Sequence, residues 1–326
     1  MKNKVILVTG GCGFIGSHLV EMLVKNGNKV ICFDRYNPNN HWGWLENSDV
    51  KDDIEVILGD IRDFDSVYNA VKRVEIVFHL AALIGIPYSY ISPLAYIRTN
   101  IEGTYNVLES SKHLDLEQII ITSTSETYGS AKYVPIDEKH PLSSQSPYSA
   151  SKISADQLAL SYWKSFQLPI KIIRPFNIYG PRQSIRAVIP SIIIQALNNK
   201  KTINLGNIEP TRDFTYVKDT CEAFLSILKT NNFFGNVLNV GSNNEYSIET
   251  IAKKILKKFN SKAKIKIEQK RIRSSKSEVL RLVCDNKKIL KHTKWKAKVN
   301  FDKGLDLTIG WFKEFKGYFR HDIYHV

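Results

Sequence analysis

VILVTGGCGFIGSHL, residues 5–19, decides the fold. A β-branched run, Val5–Val8, gives way to glycines at 10, 11, 13 and 16, and an amphipathic helix is expected from Phe14. Glycine at such positions permits a tight turn. It also lets a pyrophosphate approach the backbone at a helix N-terminus, where unpaired N–H groups favour an anion. A lone G-x-G-x-x-G is weak evidence. Here Gly11-Cys12-Gly13-Phe14-Ile15-Gly16 follows a strand and opens a helix, the context the motif requires. Gly10, Gly13, Phe14, Ile15 and Gly16 are therefore candidate dinucleotide contacts, the alternative being a glycine turn that serves packing alone.

Outward from this turn, β-branched runs alternate with amphipathic stretches, the rhythm of a parallel sheet. Strands are expected at Lys4–Val8, Lys29–Phe33, Ile54–Leu58, Ile76–His79, Gln118–Ile121 and Ile170–Arg174. Helices are expected at Phe14–Asn26, Phe64–Lys72, Pro93–His113 and Pro147–Phe166. The fold class is thus α/β: a Rossmann-type, doubly wound parallel sheet with its ligand at the carboxyl edge. After Arg174 the rhythm breaks at Pro175, Gly180-Pro181 and Pro190, and the segment reads as loops with a helix near Ile189–Asn199. Val217–Leu228 returns to helix and Asn236–Val240 to strand; beyond Gly241 come a helix, a basic loop and a short aromatic-rich tail. Residues 1–178 plus 215–242 are assigned to the dinucleotide domain. Residues 179–214 plus 243–326 form a smaller, discontinuous substrate lobe.

No apolar run approaches the ~20 residues of a membrane span, and no signal-peptide pattern precedes Val5. Cys12, Cys32, Cys221 and Cys284 form no C-x-x-C pair, which suits a reduced cytoplasm and no metal. The net charge of +14 is concentrated between Lys253 and Lys276, where eleven Lys or Arg face one acid, Glu268. Such a stretch is either a nucleic-acid patch or a solvated helix face, and it also suits an acidic small-molecule substrate. The solvated face is preferred and no nucleic-acid partner is expected.

Asp34 ends the second strand, 18 residues after Gly16. A carboxylate there can accept both ribose hydroxyls of NAD and repels a 2′-phosphate, although Arg35 beside it could receive one. NAD is the preferred cofactor. Asp60 and Ile61, after the third strand, are placed at the adenine edge, with capping as the alternative for the acid. Leu80, Ala81 and Ala82 end the fourth strand with small residues past which a flat cofactor could run, unless they serve helix packing alone. Asn100 completes the candidate cofactor set.

Tyr148 and Lys152 stand four apart at the start of a helix, so their side chains share a face. A neighbouring ammonium is expected to lower the phenol toward an acid/base that takes a proton from a substrate hydroxyl. The chain has three Y-x-x-x-K matches, with Tyr68/Lys72 and Tyr128/Lys132 as the others, so position must arbitrate. Only Tyr148 begins a helix after the fifth strand, facing Thr124, Ser125 and Glu126.

Taken together, T-G-G-C-G-F-I-G, Asp34, H-L-A-A, S-T-S-E-T-Y-G, Y-S-A-S-K, R-P-F-N-I-Y-G-P-R and R-D-F-T-Y-V resemble the extended short-chain dehydrogenase/reductase family over residues 4–310. The resemblance implies action on a nucleotide sugar with tightly held NAD. Within the family, NPNNHWGWLE (37–46), EKHPLSSQSPYSASK and GPRQSIRAVIP look most like nucleotide-sugar 4,6-dehydratases of legionaminic-acid pathways. Such an enzyme oxidises C4, eliminates water across C5 and C6, and returns hydride to C6. UDP- or GDP-N-acetylglucosamine is the expected substrate.

Thr124 would then bond the C4 oxygen beside Tyr148, and Glu126 would take the C5 proton. Many family dehydratases resemble Thr-Asp-Glu at this site, whereas this chain has Ser125 in the middle. Ser125 can only relay a proton. Thr-Ser-Glu also resembles nucleotide-sugar decarboxylases of uronic acids, the second reading; C4 epimerisation is the third. The resemblance further places Asn177 and Val188 near the diphosphate and base, with Arg212 and Arg273 gripping phosphate and Arg182 and Arg186 flanking the same loop. Arg271 or Arg281 could replace Arg273. Trp42 and Trp44 serve either lobe packing or substrate. Helices at 93–113 and 147–166 resemble those that pair into a four-helix homodimer interface.

Overall fold

The computed structural model describes residues 1–319, so the end of the second lobe expected at Val326 lies outside the described residues. Seven parallel strands form the main sheet: β1 (Val5–Thr9), β2 (Lys29–Arg35), β3 (Ile54–Gly59), β4 (Ile76–His79), β5 (Gln118–Thr122), β6 (Ile170–Pro175) and, later in the chain, β10 (Asn236–Val240). Their order is β10-β6-β5-β4-β1-β2-β3. The order reverses at the β1/β4 boundary, which opens a crevice above the carboxyl ends of those two strands.

The alternation of a strand's side chains explains both layers. Ile6 and Val8 face one side, with Leu19, Val20 and Leu23 of α1 (Phe14–Lys25). Leu7 faces the other, with Val67 and Val71 of α2 (Phe64–Val71). Next come α3 (Ile86–Ile91), α4 (Pro93–Tyr96) and α5 (Gly103–Ser111), then α6 (Pro147–Phe166). The helix expected without interruption over Pro93–His113 contains a π-helical stretch, Ile97–Glu102. A Cβ on Gly103 would stand 2.9 Å from Ile61 Cγ2, so this turn packs tightly beneath the end of β3. Extra residues of this kind often mark functional positions, and Asn100 lies on this one.

The region read as loops after Arg174 is more ordered than expected. It holds β7 (Asn177–Tyr179), α7 (Val188–Leu197), β8 (Thr202–Leu205) and β9 (Thr211–Tyr216), followed by α8 (Val217–Leu228). Beyond β10 lie β11 (Glu245–Ser247), α9 (Ile248–Lys258), β12 (Lys264–Ile267), β13 (Arg281–Leu282), α10 (Lys287–His292) and α11 (Phe301–Glu314). β9 is the hub, pairing with β7, β11 and β13. The expected aromatic tail is instead α11, capped by Asn300 and burying Phe301, Leu305, Ile309 and Phe312 at helical spacing. Among the described residues, six of the eleven cations in the basic stretch form ion pairs, including Lys254 with Asp302 and Lys258 with Asp306. All four cysteines are buried and free. No helix among the described residues is long and apolar enough to cross a membrane.

Candidate active site

The glycine turn forms a cradle that side chains would fill. A Cβ on Gly16 would lie 2.1 Å from the Gly10 carbonyl oxygen. Gly10 adopts φ +72°, and a Cβ there would meet the Ala81 backbone at 2.9 Å. The end of β4 therefore runs beside the turn. Asp34 points at the same place: its Oδ2 accepts the Cys12 N–H at 2.8 Å and its Oδ1 the Arg35 N–H at 2.7 Å. A cradle without side chains at a helix N-terminus, with a carboxylate at the end of β2, fits NAD. Asp60 differs from expectation, because Arg62 grips both its oxygens and holds the carboxyl below its usual range. An adenine edge there meets an ion pair rather than a bare acid.

Residues beyond the expected set brace this end. The amides of Leu80 and Ala81 donate to Thr9 Oγ1, so the Thr9 hydroxyl hydrogen is free to donate to His79 Nδ1 at 2.8 Å. His79 Nε2 then donates to Thr104 Oγ1 at 3.1 Å, and Thr104 to the Asn100 carbonyl at 2.7 Å. Burial and the nearby Lys152 push His79 down to about 3, keeping it neutral. Asn100 Nδ2 donates to the Leu83 carbonyl and to Ser151 Oγ, while its Oδ1 accepts the Leu83 N–H. It ties the loop after β4 to α6.

The candidate catalytic residues converge at the carboxyl end of β5. Thr124 caps a 3-10 turn, Ser125–Tyr128, its Oγ1 accepting the Glu126 N–H at 3.2 Å. Thr124 and the Glu126 charge both act on the Tyr148 phenol, the first favouring its loss of a proton and the second opposing it. Tyr148 is buried and packs edge-on against Tyr96, ring centroids 6.2 Å apart. The expected lowering of this phenol by its lysine does not occur. Burial pushes the phenol up, while Lys152 donates to the Thr122 carbonyl at 2.7 Å and is itself lowered by burial, with Asp156 opposing. Of the other Tyr/Lys matches, Tyr128 is fully buried with its hydroxyl on Asn239 Oδ1, and Tyr68 lies on the surface of α2. Ser125 is buried within the turn.

Arg212 on β9 and Arg273 share one carboxylate, Glu278, at 3.4 and 3.9 Å. Burial pushes the Arg212 guanidinium down, with the Glu126 charge opposing and Arg273 reinforcing that shift. Arg212 is thus within electrostatic reach of both Glu126 and Arg273. Glu278 was not foreseen, because nothing in its local sequence links it to β9. Asn177 on β7 has a buried Oδ1 without a partner among the described residues, an acceptor available to a ligand, and Val188 begins α7. Arg182 goes elsewhere: its Nη2 bonds Glu21 of α1 at 2.7 Å. Arg281 pairs with Glu245, Arg271 with Glu268 and Arg273 with Glu278, so of the three alternatives Arg273 is the one that meets Arg212. Arg186 is exposed and lies within reach of Tyr96. Trp44 packs on Trp311 at 5.1 Å, the packing alternative.

Asp213, beside Arg212, is the buried anchor of this wall. Its Oδ1 accepts from Ser242 N–H and Oγ, and its Oδ2 from the amides of Asn243 and Cys284. Burial raises its carboxyl to about 6 against the pull of these donors. Asp213→Asn places an NH2 against at least one pair of donors. It is expected to cost about 2–5 kcal/mol, read as a lower urea midpoint. A midpoint equal to wild type would show that the four bonds contribute little.

Comparison with known proteins agrees with this geometry. Residues 7–308 match the family described as GDP-mannose 4,6 dehydratase. Human dTDP-D-glucose 4,6-dehydratase is 31% identical over 318 residues, covering 95% of this chain and 90% of that protein. The UDP-N-acetyl-alpha-D-glucosaminuronate decarboxylase of Bacillus cytotoxicus is 33% identical over 325 residues, covering 96% and 98%. Among solved structures, UDP-glucuronic acid 4-epimerase from Bacillus cereus, in complex with UDP-glucuronic acid and NAD, superposes with a TM-score of 0.87. It is 30% identical and the match covers 95% of this chain and 99% of that one.

Proposed function

The chain belongs to the GDP-mannose 4,6-dehydratase family of extended short-chain dehydrogenases/reductases, and from that premise we propose that it is an NAD-dependent nucleotide-sugar 4,6-dehydratase. The proposed substrate is UDP- or GDP-N-acetylglucosamine, the product its 4-keto-6-deoxy sugar, and the setting a cytoplasmic legionaminic-type pathway. One observation carries the reading. The Glu126 charge acts on both the Tyr148 phenol and Arg212, which supports a carboxylate working alongside the proposed acid/base and the proposed phosphate grip.

When bound, NAD supplies the acceptor and later the donor of two electrons. Tyr148 takes the C4 hydroxyl proton, and Thr124, which acts on that phenol, holds the C4 oxygen. A ketone at C4 acidifies the C5 proton, which Glu126 removes. The C6 hydroxyl then leaves as water with a proton returned by Glu126, directly or through Ser125. Asn177, Arg212 and Arg273 bind the nucleotide diphosphate, with arginine forks suited to phosphate. Residues 1–178 plus 215–242 hold the cofactor and the remainder the sugar nucleotide.

The Thr124-Ser125-Glu126 sequence and the likeness to a decarboxylase support a second reading, loss of CO2 from a nucleotide uronate. That step needs no acid for a leaving hydroxyl. A mass-spectrometric end-point assay with UDP-N-acetylglucosamine, GDP-N-acetylglucosamine and UDP-glucuronate separates them. Loss of water from an acetylhexosamine nucleotide supports the dehydratase, and loss of CO2 from glucuronate replaces it with the decarboxylase.

The proposed assembly is a homodimer through a four-helix bundle of the 93–111 and 147–166 helices. Leu94 and Ile97 are 55% and 50% exposed there, an apolar face that a partner copy would cover. Leu94→Glu with Ile97→Glu is expected to give a monomer by light scattering. A dimeric double variant would place the interface elsewhere.

A further inference from the structure

Gln145 immediately precedes Ser146, the N-cap of α6. Its four hydrogen-bonding groups reach three segments. The backbone N–H donates to Ser149 Oγ, in the first turn of α6, at 3.0 Å. The side-chain Oε1 accepts the Ser130 N–H at 2.5 Å, just beyond the Thr124–Tyr128 turn. Nε2 donates to the Lys276 carbonyl at 2.8 Å, and the Gln145 carbonyl accepts from Ser277 Oγ at 2.6 Å. The amide's orientation is forced, since its oxygen faces a backbone donor and its nitrogen a backbone acceptor. Ser277 spends its one hydroxyl hydrogen on Gln145, so Tyr90 Oη of α3 is the donor in its 2.5 Å contact with Ser277 Oγ. The next residue, Glu278, is the carboxylate shared by Arg212 and Arg273.

We propose that Gln145 is a positioning residue that docks the arginine-bearing loop, residues 272–278, onto the N-terminus of the helix carrying Tyr148 and Lys152, with Ser277 and Tyr90 closing the seam. The proposal rests on the reading above only in naming a nucleoside diphosphate as what the loop grips. Residues 272–280 have no regular structure, and Ile272, Ser274, Ser275 and Lys276 are exposed. Such a segment loses conformational freedom when it closes on a ligand. Docking it beforehand leaves less to lose at binding, which strengthens affinity without any new contact to the ligand. The same residue also steadies Ser130, so phosphate grip, catalytic helix and carboxylate turn share one brace.

Gln145→Glu keeps the acceptor for Ser130 and sets an oxygen against the Lys276 carbonyl, breaking only the loop side. Ser277→Ala breaks the seam from the other side and guards against a misfolded glutamate variant. Full-length protein with NAD is digested with trypsin, scoring cleavage after Arg271, Arg273 and Lys276, and UDP and GDP are titrated separately by calorimetry. In both variants, cleavage is expected roughly tenfold faster and nucleotide binding roughly tenfold weaker, the scale of one ordinary hydrogen bond. Bound NAD stays at the wild-type level and the unfolding midpoint falls by no more than one lost hydrogen bond accounts for, which a general folding defect would not allow. Wild-type cleavage rates and affinities in both variants would overturn the proposal. Faster cleavage in variants of a protein that binds neither nucleotide would keep the docking and overturn the nucleotide reading.

Discussion

Tyr148→Phe is expected to lower kcat about 10²–10⁴-fold, the range of a lost general acid/base, with KM for the nucleotide sugar within a few-fold. The substitution removes one oxygen. The ring remains packed against Tyr96, so the unfolding midpoint should hold. What disappears is the phenol oxygen, on which Thr124 and the Glu126 charge act. Burial and that charge both keep the phenol protonated in the protein alone. Its base form is therefore scarce at neutral pH and grows as pH rises, so the wild-type rate should climb with pH through the neutral range. The climb ends where Lys152, lowered by burial, loses its own proton. The Phe variant should show a flat profile over the same range. A variant within tenfold of wild type, or one that keeps the climb, would remove Tyr148 from the proton transfer.

How far the sequence could be read follows from the range of the forces involved. The glycine turn and the six strands before residue 176 were legible because each is specified by its neighbours: β-branched runs, a turn without side chains, an acid at a strand end. β7, β11 and β13 are two or three residues long, too short for periodicity to register. The density of Trp311, Phe312 and Phe315 suggested an aromatic tail, although Phe301, Leu305, Ile309 and Phe312 already carried helical spacing. The π-helical turn has no local signature, since it depends on Gly103 fitting under Ile61. The placement of Thr124 and Glu126 after β5 and of Tyr148 and Lys152 at the start of α6 was legible from position along the sheet. Glu278, Gln145 and the Glu21 partner of Arg182 depend on contacts across 66, 131 and 161 residues. No local pattern encodes those. The phenol's direction was misjudged for a related reason: helical spacing places Lys152 near Tyr148, but the Thr122 carbonyl takes its ammonium.

Glu126→Gln separates the chemistries that the family leaves open. Gln is isosteric, and the bond that sets the turn, from the Glu126 N–H to Thr124 Oγ1, is made by the backbone and survives. For a dehydratase, formation of the 4-keto-6-deoxy product should fall about 10²–10⁴-fold, because nothing remains to take the C5 proton. In D2O, wild-type product should carry solvent deuterium while substrate recovered from the variant carries none at C5. The lost charge has two further effects of known sign. Glu126 raises the Tyr148 phenol, so its removal eases proton loss from the phenol and leaves C4 oxidation unhindered. It also partly neutralises the field at Arg212, so a diphosphate should bind the variant as well as or better than wild type. Collapse of kcat with KM unchanged or lower is thus the pattern of a lost base, whereas a damaged site would raise KM. For a decarboxylase the same variant should still release CO2 from the uronate, since breaking the C5–C6 bond leaves its electrons on the C4 ketone without removing any C5 proton. A variant that dehydrates at the full rate would sink the mechanism, for Glu126 would then only order the turn.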